Sequence, residues 1–449
     1  MKSDKHGGYT QGPVWRHVVN VSGFMILGFL AMTLGQLVLT FYVGLVGKEE
    51  LAAIAFSFPL VMGLSALTRG IGIGASTLLA RTVGSGDRQG GGVLSTHAFY
   101  LAIIFTLSLS LLVWLTAEML FLLLGAEGRV SELAVGYTRI WLLSFPLAGI
   151  ALVATGMIRA FGNPAWPGLI LSIGPIVQVI IAPALIFGWL GLEPLGLDGA
   201  GWAIVGSNVV QALLVAYWFL MKEKVLAFVA KDFISSARGI LHIAIPASAS
   251  NLIQPLSAGV ITWMLSGYGN LVVAGFGVAS RIEAVVGMVA IGISTSVVPV
   301  MGQNWGARKF ERVNELLKIC HLSCLFWSLI AAIIMWTGAE FFIGLVNDDP
   351  QIMDSAIMFL YIVPVTIGFM GMINVSTHSF NTLRKPGLAL LLSLSRLLIV
   401  YIPLAFLGSW MFGYVGIFAA TAFTNVLIGI IAVFWNKTIV QRESNILSA

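Results

Sequence analysis

Charge is scarce in this chain. Only 10% of its 449 residues are Asp, Glu, Lys or Arg, against about 25% in a soluble protein. That shortage excludes a water-solvated globular protein of this size. Cysteine is scarcer still. Cys320 and Cys324 are the only two, four apart on one helical face. Zinc takes about four ligands, so two thiols make a poor metal site. No metal is expected, and both are read as small buried apolar residues. Enzyme signatures are also missing. "GSGDRQGGG" lacks the Gly-Lys-Ser/Thr ending of a phosphate loop, and no His-Glu-x-x-His or nucleophile elbow occurs. No catalytic residue is assigned, and a non-enzyme is expected. A cleavable signal is not evident either. The polar start "MKSDKHGGYTQGPVWRH" leads into an apolar run longer than the ~7–15 residues of a signal core.

What the chain has is hydrocarbon. Hydrophobic residues make up 58%, and a helix needs roughly 20 of them in a row to cross a bilayer. Twelve candidate spans follow, at 17–43, 52–80, 93–116, 131–157, 166–190, 199–221, 240–266, 272–300, 315–337, 352–377, 387–410 and 414–436. The expected fold class is an all-α polytopic membrane protein. Charge placement orients it. The N-terminus, the even-numbered loops and the C-terminus hold 18 of the 24 basic residues, from Lys2 and Lys5 to Lys437 and Arg442. The odd-numbered loops hold only Lys48 and Arg129, while Arg69, Arg139, Arg281 and Arg396 lie in spans. The positive-inside bias places both termini in the cytoplasm. The net charge of +5 is explained by those loops, so a nucleic-acid partner is not expected.

The two halves repeat. At an offset of 220, Gly47 meets Gly267, Phe56 meets Phe276, Gly72-Ile73 meets Gly292-Ile293, and Arg88 meets Arg308. Further on the offset drifts. Pro167 meets Pro386, and Gly196, Asn208 and Trp218 meet Gly413, Asn425 and Trp435. The expected organisation is an N-terminal six-helix lobe over 1–221, a cytoplasmic linker over 222–238, and a C-terminal six-helix lobe over 239–449. An even span count per repeat gives both lobes the same topology. They are then related by a pseudo-two-fold along the membrane normal, with the substrate path between them.

Several stretches resemble the multidrug and toxic compound extrusion (MATE) family along nearly the whole chain. They are "FYVGLVGKEELAAIAFSFPL", "GIGIGASTLLARTVGSGD", "PLGLDGAGWAIVGSN" and "GFGVASRIEAVVGMVAIGISTSVVPVMGQNWGARKFERV". The resemblance implies a secondary active exporter of amphiphilic, often cationic, compounds. It works by alternating access and antiport against H⁺ or Na⁺, in a cleft between two bundles. It implies no cofactor beyond the coupling ion, a monomer, and a bacterial inner membrane. A lipid-linked precursor flippase of the wider superfamily is the alternative. The usual coupling acids are missing. Leu39 precedes Thr40 where such members carry Asp-Thr. "VQVIIAP" offers Gln178 and Ala182 where an Asn and an Asp are usual. Gln254 occupies the position of a seventh-helix glutamate.

Glu283 is then the one acid deep within a span; the other 18 acids fall at or beyond the span ends. It lies eleven residues past residue 272, about 17 Å along the helix. A mid-bilayer ionisable group is a functional candidate by default. Arg281 and Glu283, two apart, point roughly 200° away from each other, so separate partners are expected. Two readings stand: Glu283 couples cation movement, or it forms a structural ion pair with Arg396 or His378. The candidate ion-coupling residues are Glu283 and Arg281. The substrate-cleft candidates are Gln36, Thr40, Gln178, Asn251, Gln254, Arg69, Asn374 and His378. Each amide reads equally well as a helix–helix hydrogen bond.

Overall fold

The computed structural model of the protein describes residues 8–191, 193–227, 229–346 and 349–448. Lys2, Asp4, Lys5 and Asp348 of the charge inventory lie outside the described residues. No strand occurs among the described residues. The helices are α1 (Val14–Val46), α2 (Lys48–Gly84), α3 (Arg88–Leu123), α4 (Gly128–Ala160), α5 (Ala165–Phe187) and α6 (Gly196–Lys222), then α7 (Phe233–Ser266), α8 (Asn270–Gly306), α9 (Phe310–Gly344), α10 (Pro350–Thr382), α11 (386–412) and α12 (414–448).

Ten stretches are long and apolar enough to cross a membrane, the last running unbroken from Pro386 to Ser448. That stretch is two helices. Gly413 has φ 63° and ψ −146°, a region open essentially to glycine alone. The chain doubles back there, bringing Gly408 and Gly416 into backbone contact. Its repeat mate Gly196 also has a positive φ, +55°. The twelfth helix is α7, which is 34 residues long but carries Arg238, His242, Asn251 and Gln254. The described residues therefore form a membrane protein of twelve long helices, six per repeat.

Packing divides the chain at other points than the repeat does. Leu27–Ser248 forms one compact unit. The described residues up to Ile26, with those from Ala249 onward, form the other. Both boundaries fall inside a helix, α1 and α7. The expected linker at 222–238 is also shorter, because a π-helical turn closes α6 at Lys222 and α7 begins at Phe233.

In the unit Leu27–Ser248, the glycines of "GIGIG" explain the packing. A Cβ at Gly74 would sit 2.5 Å from the Ile240 carbonyl oxygen, and one at Gly70 would meet Ser248 and the Ala244 carbonyl. The first half of α7 therefore lies directly on α2. Ser248 Oγ donates to the Leu67 carbonyl at 3.0 Å. Buried polar bonds brace the rest: Thr138 to Ser57 at 3.1 Å, and Asn208 to Ser144 at 2.9 Å. Buried His97 ties down the connector, its ring nitrogens 2.9 Å from the Val229 carbonyl and from Ser236 Oγ.

In the other unit, Gly292 of α8 does for α1 what Gly74 does for α7. A Cβ there would be 2.5 Å from Ile26 Cγ1. Residues before α1 are strapped to the end of α8. Tyr9 N donates to Gln303 at 2.7 Å and Asn304 donates to the Tyr9 carbonyl at 3.1 Å. The Arg312 guanidinium donates to Asn304 Oδ1, the Gly12 carbonyl and the Tyr9 carbonyl at 2.8–3.0 Å. The Gly-Gln-Asn element thus anchors the N-terminal segment. Cys320 and Cys324 are buried free thiols, and Cys324 Sγ packs against Gly371 of α10.

The repeat is least exact in the membrane interior. Pro146 sits in an unbroken α4. Its mate Pro364 opens a 3₁₀ turn, Pro364–Thr366, that interrupts α10. Side chains collect the backbone groups this releases, as hydrocarbon requires. Trp336 donates to the Tyr361 carbonyl at 2.9 Å. Ser328 donates to the Val365 carbonyl at 2.6 Å and accepts from Gly368 N at 3.0 Å. Asn425 donates to Thr366 Oγ1 at 3.0 Å.

Candidate functional site

Glu283 lies half-buried on α8, with Ile282 and Val286 packed into the same apolar cluster as Leu397 and Tyr401 of α11. Trp327 fixes α8 by donating to the Val286 carbonyl at 2.9 Å. Arg396, half-buried on α11, acts on Glu283 electrostatically across more than 4 Å, since no ion pair joins the two among the described residues. The apolar surroundings lower the local dielectric and lengthen the reach of that interaction.

Arg396 sits in a π-helical segment, Ser395–Tyr401. A π-bulge amounts to one extra residue in an α-helix, and such bulges are frequent at functional sites. The repeat shows the insertion directly. Pro167 and Pro183 are 16 residues apart, whereas their mates Pro386 and Pro403 are 17 apart. The N-terminal copy, α5, is α-helical throughout. The bulge, Arg396 and Glu283 are therefore all private to the second repeat.

Arg281 is exposed, and among the described residues it makes no ion pair or side-chain hydrogen bond. Glu283 and Arg281 thus share a helix but not a partner. Asn251 and Asn374 are half-buried and Gln254 is exposed in the same unit. Asn251 Nδ2 has no hydrogen-bond partner among the described residues. His378 lies past the break in α10, where its carbonyl accepts from Thr382 Oγ1 at 2.8 Å. The remaining candidates belong to the other unit. Gln36 and Arg69 are exposed, on α1 and α2. Thr40 spends its hydroxyl on the Gln36 carbonyl at 2.8 Å. Gln178 is 9% exposed, and its Nε2 has no partner among the described residues. The fourth arginine read in a span, Arg139, pairs with Glu118 at 3.0 Å. No group of three or more His, Cys, Asp or Glu suited to a metal occurs among the described residues.

The family model MatE matches twice, over residues 25–184 and 246–407, once in each repeat. The chain belongs to the MATE family. It is 32% identical over 431 residues to a FAD transporter of Shewanella oneidensis, covering 95% of both chains. It is 24% identical over 423 residues to the multidrug export protein MepA of Staphylococcus aureus, covering 93% of this chain and 92% of that one. The crystal structure of the Vibrio cholerae MATE transporter VcmN in the bent form superposes with a TM-score of 0.91 at 25% identity, covering 96% of this chain and 98% of that one. This MATE protein is a membrane transporter, and its relatives favour neither an enzyme nor a flippase.

Proposed function

We propose that this MATE transporter exports amphiphilic organic solutes by antiport against an inward H⁺ or Na⁺, with Glu283 as the coupling carboxylate. One observation carries the reading: Glu283 is the one acid deep within a span among the described residues, and the opposite charge that acts on it, Arg396, sits on a π-bulged helix. A proton or sodium ion on the carboxylate cancels its attraction for Arg396. Arrival of the ion therefore changes the forces between α8 and α11, and alternating access needs a change of that kind. The names of the two relatives, a FAD transporter and a multidrug exporter, support flavin-like aromatic solutes alongside drugs as substrates. The charge asymmetry of the loops supports both termini in the cytoplasm, and the bacterial relatives support a bacterial inner membrane. A monomer suffices for this mechanism.

The test is efflux from cells lacking their own exporters, measured across pH and sodium concentration. Glu283→Gln, compared at equal amounts of folded protein in the membrane, is expected to lose the ion dependence of efflux. Wild-type-like, pH- or sodium-dependent efflux by that variant contradicts the assignment.

A further inference from the structure

Arg281 has no role in the coupling scheme above. It lies eleven residues past Asn270, about 17 Å along α8 and far from either helix end. Its helix face is Gly277, Arg281, Ala284 and Val285, at the i, i+4, i+7, i+8 spacing of one stripe. Arg281, Ala284 and Val285 are exposed, and the space around Gly277 is open. Other exposed helix faces in this protein look different, and their uninterrupted apolar stripes suit lipid. On α3 the exposed residues at comparable spacing are Ile104, Leu107, Leu111 and Leu115. On α9 they are Leu322, Phe326, Leu329 and Ile333. A guanidinium beside Gly277, Ala284 and Val285, at mid-span, belongs against water or solute and not hydrocarbon.

Its charge is also uncompensated. Within the same unit Glu283 interacts with Arg396, and no acid lies within 4 Å of Arg281 among the described residues. The surplus is one positive charge on an exposed face of α8. A planar guanidinium presents paired N–H donors that match phosphate and carboxylate oxygens.

We infer that Arg281 binds the anionic group of the substrate, and that the transporter thereby takes phosphate-bearing aromatic amphiphiles. This rests on the exporter reading but not on Glu283 as the coupling residue.

Purified protein in liposomes distinguishes the cases. Riboflavin and flavin mononucleotide share a ring system and differ by one phosphate; ethidium serves as a cation. In Arg281→Gln, transport of the mononucleotide is expected to fall about tenfold or more, the scale of a lost charged hydrogen bond, with riboflavin and ethidium within about twofold of wild type. Arg281→Lys should recover part of the loss. Inorganic phosphate should compete only weakly, because it lacks the ring. Equal effects of Arg281→Gln on all three solutes overturn the inference, as does a wild-type protein that moves ethidium but no phosphate ester. A second measurement needs no transport. Arg281→Cys, with Cys320 and Cys324 replaced by Ala, should react with membrane-impermeant thiol reagents and be protected by flavin mononucleotide. An unreactive or unprotected thiol overturns the inference. If Glu283→Gln instead leaves ion dependence intact, the coupling assignment fails while the mononucleotide-to-riboflavin ratio still reports on Arg281.

Discussion

Removing one member of the Glu283–Arg396 pair should cost far more than removing both. Breaking a buried ion pair in direct contact costs about 3–5 kcal/mol, because the survivor is left unneutralised. Glu283 and Arg396 are half-buried and more than 4 Å apart, which places each single substitution, Glu283→Gln or Arg396→Met, nearer ~1.5–2 kcal/mol. The double variant has no stranded charge, and methionine occupies much of the arginine's volume. It should lie within about 1 kcal/mol of wild type, so that the two single effects exceed their combination by ~2–4 kcal/mol. Reversible unfolding of the purified protein in mixed micelles gives all four corners of this cycle. If the single effects add within about 0.5 kcal/mol, the two charges do not interact and the picture of α8 and α11 held by opposite charges is wrong. Transport by the double variant separates structure from coupling. A folded double variant that still lacks ion-dependent efflux assigns the loss to the carboxylate itself; full recovery of efflux makes the pair purely structural.

Two other perturbations test the packing. Gly74→Leu places a Cβ 2.5 Å from the Ile240 carbonyl oxygen and should destabilise by ~1–3 kcal/mol through overpacking, whereas Gly63→Ala, with open space around it, should stay within about 0.5 kcal/mol; thermal melts compare them. Arg312→Gln removes a guanidinium that donates to Gly12, Tyr9 and Asn304 and should cost ~1.5–3 kcal/mol, with faster proteolysis between residues 8 and 13 as the local readout.

The helices were legible because hydropathy and loop charge are local signals, and every span but α7, diluted by Arg238, His242, Asn251 and Gln254, carries a strong one. The repeat was legible because glycines and prolines recur at a near-constant offset. What stayed hidden depends on distant partners. Pro364 and Pro146 look alike in sequence, but only Pro364 has Trp336 and Ser328 beside it to accept a broken helix. The N-terminal strap joins residues almost 300 positions apart, and no periodicity encodes that. Nor does hydropathy say that the first halves of α1 and α7 pack away from their second halves. The π-bulge did leave a trace, the extra residue between Pro386 and Pro403. Of the candidate site, the depth of Glu283 and its divergence from Arg281 were readable from spacing. Arg396 and His378 read as equal candidate partners in the sequence, where spacing says nothing of which charge lies nearer; Arg396 is the one that acts on Glu283 electrostatically.

The central claim is that inward cation movement through Glu283 powers export. Proteoliposomes carrying an imposed proton or sodium gradient test it most directly, with substrate accumulation as the readout. The wild-type protein should concentrate substrate against its gradient, and Glu283→Gln should only equilibrate it. Concentrative transport by Glu283→Gln at the wild-type level would contradict the account.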